Sequence, residues 1–403
     1  MSAPSAMPAS PQPSLIGPAR WLTLALLAAS SLTIMASTVI SPGLPGMVEH
    51  FQDTPDAGLL ARLAMTLPGL FVAIGAPFVG ALTDRIGRRR ILLGAILMYV
   101  LAGTSGLWLD TLPAILVGRA ALGLAVAGVL TSASAMAGDI FHGPSQARFV
   151  GLQASAMGFA GLVFLTGGGL MAELHWRAPF AIYGIALLVF LAALLVLPET
   201  RGRHAQAQAG PEPEDDRPAP WRTLALLYLF GLAIMTAMYV MPVQLPFRLR
   251  ELGLIGPSQA GIALGVFTLM SSVTALFAAR MRSRMGPGPM FVLSFLVTAL
   301  GFVMTSAGGG MVSICIGAAV VGGGMGLTMP NLFGSVVSLA PARVRGRAAG
   351  GMTSAVFLGQ FLSPLASQPA AEAWGLASAF LLAATIPPVL ALLALLARRA
   401  LRG

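Results

Sequence analysis

The sequence has no lysine, one cysteine, four histidines and fourteen acidic residues among 403, and charged residues make up 9% of it. Each scarcity excludes something. Cys315 stands alone inside an apolar run, which excludes a disulfide within the chain and a cysteine-ligated metal site; it reads as a small packing residue. Every acid and every histidine (His50, His142, His175, His204) falls in a polar break or at the end of an apolar run. A membrane-embedded enzyme needs converging nucleophile, base or metal ligands. None converge here, so neither an enzyme nor a metal site is expected. A channel filter or charged ring is missing. So is a nucleotide-binding P-loop, which excludes direct ATP drive within this chain.

What is present is apolar. The composition is 56% hydrophobic with 48 glycines, the profile of a polytopic membrane protein. A bilayer-spanning helix needs about 20 apolar residues. Such runs occupy 21–41, 59–82, 91–109, 113–138, 149–172 and 179–197, then 222–242, 259–279, 290–307, 311–333, 349–371 and 376–397. They predict an all-α membrane protein with twelve transmembrane helices. Residues 1–19 are rich in Pro, Ser and Ala and are expected to form a disordered tail. They make a poor signal peptide, because the only nearby base is Arg20 and the run behind it is long enough to span. Residues 198–220, "PETRGRHAQAQAGPEPEDDRPAP", cannot bury a core and read as a cytoplasmic linker. The division is then a six-helix bundle over 20–197, a second over 221–397, and a tail at 398–403. Neither tail nor linker is long enough for a signalling domain.

All 24 basic residues are arginine. With an internal N-terminus, nineteen of them fall on the inside, four (Arg62, Arg177, Arg248, Arg250) on the outside, and Arg119 within a span. That asymmetry predicts both termini in the cytoplasm. The expected location is the cytoplasmic (inner) membrane. Arginines clustered between apolar runs point to membrane orientation and not to nucleic acid. The five tryptophans (Trp21, Trp108, Trp176, Trp221, Trp374) fall at span ends, as an aromatic belt requires.

The chain also repeats itself. "ARWLTLALL" at 19–27 matches "APWRTLALL" at 219–227, "DRIG" at 84–87 matches "SRMG" at 283–286, and "RFVG" at 148–151 matches "RAAG" at 347–350. Ala172-Glu173 matches Ala371-Glu372 at the same offset of 199. Two six-span units with an even number of crossings share one orientation, a parallel repeat known among transporters.

One stretch concentrates the scarce charge: "GALTDRIGRRRIL", Gly80 to Leu92. Inside-positive anchoring accounts for Arg88–Arg90. It does not account for Asp84, an acid among bases, or for Gly87, which supplies the turn between two antiparallel helices, or for Gly80, which permits close helix approach. "GALTDRIGRRR" resembles the G-x-x-x-D-R-x-G-R-R/K motif between helices 2 and 3 of the major facilitator superfamily, and the twelve-span repeat extends the resemblance over nearly the whole chain. The resemblance implies that Asp84 docks at the N-terminus of helix 11 near Arg343–Arg347, where a helix dipole favours an anion. It also implies that Arg85, Arg88, Asp139 and Arg148 take part in the same cytoplasmic latch, with Asp139 and Arg148 as a charge pair. The C-terminal copy, "RSRMGPGP", has Ser283 where Asp84 stands, so the latch is asymmetric.

"RAALGLAVAG", Arg119 to Gly128, resembles the family's helix 4 motif R-x-x-x-G. An arginine inside a span costs about 2.5–3.5 kcal/mol on insertion scales and usually faces a cavity, although its stem can also snorkel. On helix 5, "GFAGLVFLTGGG" carries Val163 and Phe164 where drug–proton antiporters of this family have Gly-Pro. The resemblance places helices 1, 4, 7 and 10 around the cavity. Their polar residues Thr33, Ser37, Thr38, Tyr239, Thr328 and Asn331 are then candidate ligands, with Gln153 and Gln360 on helices 5 and 11. Bonding between helices accounts for such residues equally well. Glu173 and Glu372, repeat mates at outer span ends, are the best remaining carboxylates for a proton. Met235, Met238, Met325 and Met329 add adaptable apolar surface.

The expected activity is proton-coupled secondary export of small amphiphilic molecules by alternating access, resembling the drug–proton antiporter branch. The alternative is a carrier of an anionic metabolite held by Arg119. No cofactor beyond a proton gradient is implied. The partners are a small-molecule substrate and the lipid bilayer, and one chain suffices for the cavity, so a monomer is expected.

Overall fold

The computed structural model describes residues 18–198, 218–398 and 400–402. The expected N-terminal tail and most of the linker fall outside them, as do Arg201, Arg203, Arg217 and Arg399. The first half runs α1 (Pro18–Thr38), α2 (Leu44–His50), α3 (Ala57–Ile86), α4 (Arg88–Thr104), α5 (Leu112–Ile140), α6 (Pro144–Leu174) and α7 (Ala186–Val196). The second runs α8 (Trp221–Met238), α9 (Val240–Glu251), α10 (Pro257–Met285), α11 (Pro287–Ala307), α12 (Met311–Leu339), α13 (Ala342–Trp374) and α14 (Leu376–Leu396).

The first and seventh spans are longer than their apolar runs imply, and both are broken. The first continues from α1 through a 3-10 turn at Ser41–Gly43 into α2 and ends at His50, not at 41. The seventh breaks at Tyr239 and ends at Glu251, not at 242. Pro42 and Pro242 lie just past the two breaks, where a missing N–H and a fixed φ interrupt the helical ladder. Thr38 and Met238, the last residues before them, are two hundred positions apart, so the repeat extends to its irregularities.

Among the described residues, eleven helical segments are long and apolar enough to cross a bilayer. The run at 349–371 lies in α13, whose 33 residues begin with Arg343, Arg345 and Arg347. The turn between α3 and α4 is Gly87 alone, at φ +108°, a conformation that a side chain strains and glycine accepts. Its repeat mate Gly286, at φ +80°, joins α10 to α11.

Packing repeats as well. α3 lies on α5, α4 on α5 and α7, and α1 on α6; correspondingly α10 lies on α12, α11 on α12 and α14, and α8 on α13. Each half encloses its own apolar core. Outside, residues such as Val117, Leu195, Val312 and Leu396 are exposed at 69%, 84%, 74% and 74%, a surface suited to lipid. Trp176 departs from the aromatic-belt expectation: it is buried, between His50, Phe51 and Phe180.

The two halves meet along two helix pairs, α3 with α13 and α6 with α10. Contacts are confined to one end of each. On α3 they run from Gly58, beside Gln368, through Gly69, beside Phe357, to Ala73, whose carbonyl accepts from Ser354 at 3.1 Å. On α6 they run from Gly158 to Gly169, against Ser272 to Pro257 of α10. These contacts lie toward the face away from the chain ends (the far face); the opposite face carries the chain ends (the terminal face). Gly80 corrects the expectation of a close helix approach: a Cβ there would meet nothing within 4 Å.

Candidate functional site

The seam collects the polar groups of both halves. At its middle, Gln360 on α13 donates Nε2 to Ser37 Oγ at 2.9 Å, and Tyr239, at the break between α8 and α9, lies beside the same Ser37. Three of the expected ligand residues thus come together, on three helices and beside both helix breaks. Met235 and Met238 are buried next to Tyr239, and Met325 and Met329 are partly buried on α12.

Other expected ligands are placed elsewhere. Gln153 donates to Ser30 Oγ at 2.7 Å, and Thr33 to the Ser30 carbonyl at 2.7 Å, both within the first half. Thr38 and Thr328 bond their own helices. Asn331 is fully buried and donates Nδ2 to the Pro287 carbonyl at 3.0 Å, tying α12 to α11.

Arg119 is enclosed, with 0% exposure. Its Nε donates to the Ala64 carbonyl at 2.7 Å, Nη1 to Tyr183 Oη at 2.9 Å, and Nη2 to the Ala36 carbonyl. Tyr183 donates to the same Ala36 carbonyl at 3.1 Å. Ala36 is in the last turn of α1, where helical carbonyls lose their partners and a cation is favoured. The guanidinium therefore caps the break in the first span and ties it to α3. Neither snorkelling nor an open cavity position describes it.

The far-face end of the seam holds residues that the sequence reading passed over. Arg62, counted there with the outside loops, is 4% exposed on α3. It donates Nε to Gln244 Oε1 at 3.0 Å and Nη1 to the Gly58 carbonyl at 2.7 Å, and it lies 3.7 Å over the Phe247 ring. Gln244 continues to Ser367 Oγ at 3.0 Å and Gln368 Oε1 at 3.3 Å; Gln368 donates to Glu372 at 2.7 Å. Glu372 also acts electrostatically on Arg62, so the C-terminal half supplies this cation's countercharge. The repeat-mate acid Glu173 does the reverse: it accepts from the N–H and hydroxyl of Ser258, at 3.0 and 2.7 Å, at the start of α10. Of the two carboxylates suggested for proton binding, Glu173 bonds across the halves and Glu372 bonds Gln368 of its own helix. Arg250 with Glu49 at 2.8 Å, and the Ser41 hydroxyl on the Pro242 carbonyl, complete the closure.

On the terminal face, two arginines of the Gly80–Leu92 stretch bond within the first half. Arg88 pairs with Asp139, and Arg89 donates to the Leu194 carbonyl at 2.8 Å, which ties α4 to α5 and α7 within one half. The implied Asp139–Arg148 pair is corrected: Arg88 takes Asp139, because the Gly87 turn sets it beside α5, and Arg148 is exposed. Arg85 is exposed too, as are Arg345 and Arg347; Arg343 is exposed and has a bonding partner. The side chain of Asp84 lies outside the described residues; its backbone is helical.

The sequence matches the Major Facilitator Superfamily over residues 26–256 and 227–402. The chain belongs to that superfamily. It is a multi-pass membrane transporter and not an enzyme, and it resembles the drug–proton antiporters of the superfamily. It is 25% identical over 332 residues to the class C tetracycline resistance protein of Escherichia coli, covering 75% of this chain and 78% of that one. It is 26% identical over 187 residues to the multidrug resistance protein MdtM of E. coli K12, covering 45% and 44%. A bacterial homologue of the human lysosomal transporter Spinster, solved in an inward-facing and occupied conformation, shares the fold with a TM-score of 0.76 at 15% identity, over 96% of this chain and 98% of that one.

Proposed function

We propose that this protein exports small amphiphilic molecules across the inner membrane in exchange for protons, working as a monomer of twelve spans with both termini in the cytoplasm. The observation that carries the reading is the polar seam between the halves, packed over Gly58–Ala73, with two helix breaks and the Ser37–Tyr239–Gln360 cluster at its middle. The arginine asymmetry supports a cytoplasmic terminal face, the side from which an exporter loads. The methionine-bearing walls suit varied apolar ligands. The resistance proteins among the relatives support drug-like substrates. Enclosure of Arg119 weighs against the anion-carrier alternative, since its donors already serve Ala36, Ala64 and Tyr183.

The test is accumulation of a mixed panel of amphiphilic cations and organic anions in efflux-deficient cells with and without the protein. The expected result is lower accumulation of one or more amphiphiles, reversed by a protonophore. Higher accumulation of an anion would overturn the export reading.

A further inference from the structure

The last turns of α10 carry a lipid-facing stripe that export does not use. The seam side of α10 is marked by Gly261, Gly265, Thr268 and Ser272, and the α12 side by Ala278 and by Arg282, which bonds the Asn331 carbonyl at 3.2 Å. At 100° per residue, Phe277, Arg280 and Arg284 fall on a third side, away from both. That side also carries Ile262, Leu269 and Val273, all exposed. Phe277, Arg280, Met281 and Arg284 line a groove of about 340 Å³. Phe277 is 55% exposed, and the two guanidiniums, one turn apart, make no ion pair or hydrogen bond among the described residues. Their neighbour Arg282 turns inward to the protein, so the three arginines of "RMRSR" divide between two tasks.

We propose that this groove binds an anionic phospholipid of the leaflet at the terminal face, with the phosphate between Arg280 and Arg284 and the start of an acyl chain against Phe277 and Met281. Two features favour a lipid over a free anion. The groove wall is apolar on its membrane side, where free phosphate gains nothing. The cations also sit where α10 leaves its apolar run, at headgroup depth, where arginine pairs with phosphate in bidentate geometry. The repeat supplies an independent observation. Phe78, Leu82 and Arg85 of α3 stand 199 residues before Phe277, Met281 and Arg284, and all three are exposed, at 73% and 43% for the first two. Ala81 replaces Arg280 there, so the α10 stripe is the stronger site.

The experiment uses the full chain in nanodiscs of phosphatidylcholine with or without phosphatidylglycerol, released into mild detergent and weighed by native mass spectrometry. The wild type is expected to retain phosphatidylglycerol in preference to phosphatidylcholine. Arg280→Gln with Arg284→Gln is expected to reduce that preference roughly thirtyfold, each arginine at a membrane surface contributing about fivefold. Arg148→Gln, an exposed arginine on the same face, is expected to leave it unchanged. A wild type without the preference, a double variant that keeps it, or displacement of the lipid by millimolar inorganic phosphate would each overturn the proposal. None of these readings depends on transport.

Discussion

Arg119→Ala is expected to lower the thermal unfolding midpoint in detergent by several degrees and to stop transport of every substrate, charged or neutral. The guanidinium is fully buried and serves two carbonyls and a tyrosine hydroxyl on three separate segments. Its removal leaves buried acceptors unpaired, at about 1–3 kcal/mol each if nothing replaces it. It also opens a cavity beside the break in the first span. Relaxation and water entry recover part of this, so a net loss of roughly 3 kcal/mol is expected. Arg119→Lys should recover little, because one ammonium cannot reach three acceptors in fixed directions. Thermal unfolding followed by tryptophan fluorescence, with transport assayed in parallel, checks the prediction. A stable Arg119→Ala protein that loses only anion transport would instead make Arg119 a ligand.

The second large effect is at the seam. A Cβ on Gly261 would lie 2.7 Å from the Leu165 carbonyl, with the Gly169 and Thr166 backbone 3.2 and 3.3 Å away. These are backbone atoms of α6 in the opposite half and cannot swing aside. Gly261→Val therefore overpacks the closed seam by about 1–3 kcal/mol, which moves the closed-to-open ratio at the far face by roughly 5- to 150-fold. Spin labels at the exposed far-face positions Asp53 and Ile255, with Cys315 replaced by serine, read the distance between the halves. The expected outcome is a longer distance in Gly261→Val and slowed transport, with folding preserved. Gly322→Val provides the contrast. Gly322 packs on Phe267 within its own half, so that variant should lose stability and leave the distance unchanged.

Much of the architecture was legible because lipid imposes a simple code. Long apolar runs separated by arginine clusters place the helices, and offsets of 199 and 200 reveal the repeat. The breaks in the first and seventh spans were not read, because apolar residues continue through them. Pro42 and Pro242, at the repeat offset, were the signal available. Ser37 and Tyr239 were expected on spans lining the cavity and Gln360 as a further candidate on helix 11, and the structure places all three side by side. Arg62 was misplaced for a physical reason: it is buried by Gln244 and Phe247, about 180 residues away, and no local pattern announces that contact. Asp139 shows the same limit. Its charge marked it, but its partner was decided by the turn at Gly87.

The central claim is exchange of substrate for protons through one seam. Its most direct measurement is made in proteoliposomes loaded with a substrate from the panel and a pH-sensitive dye, diluted into substrate-free buffer of equal pH. Substrate leaving down its gradient should draw protons inward and acidify the lumen, and Gly261→Val should slow both movements together. Lumenal alkalinisation would mean that substrate and proton travel in the same direction, and an unchanged lumenal pH during substrate exit would mean uncoupled transport. Either result would contradict the account.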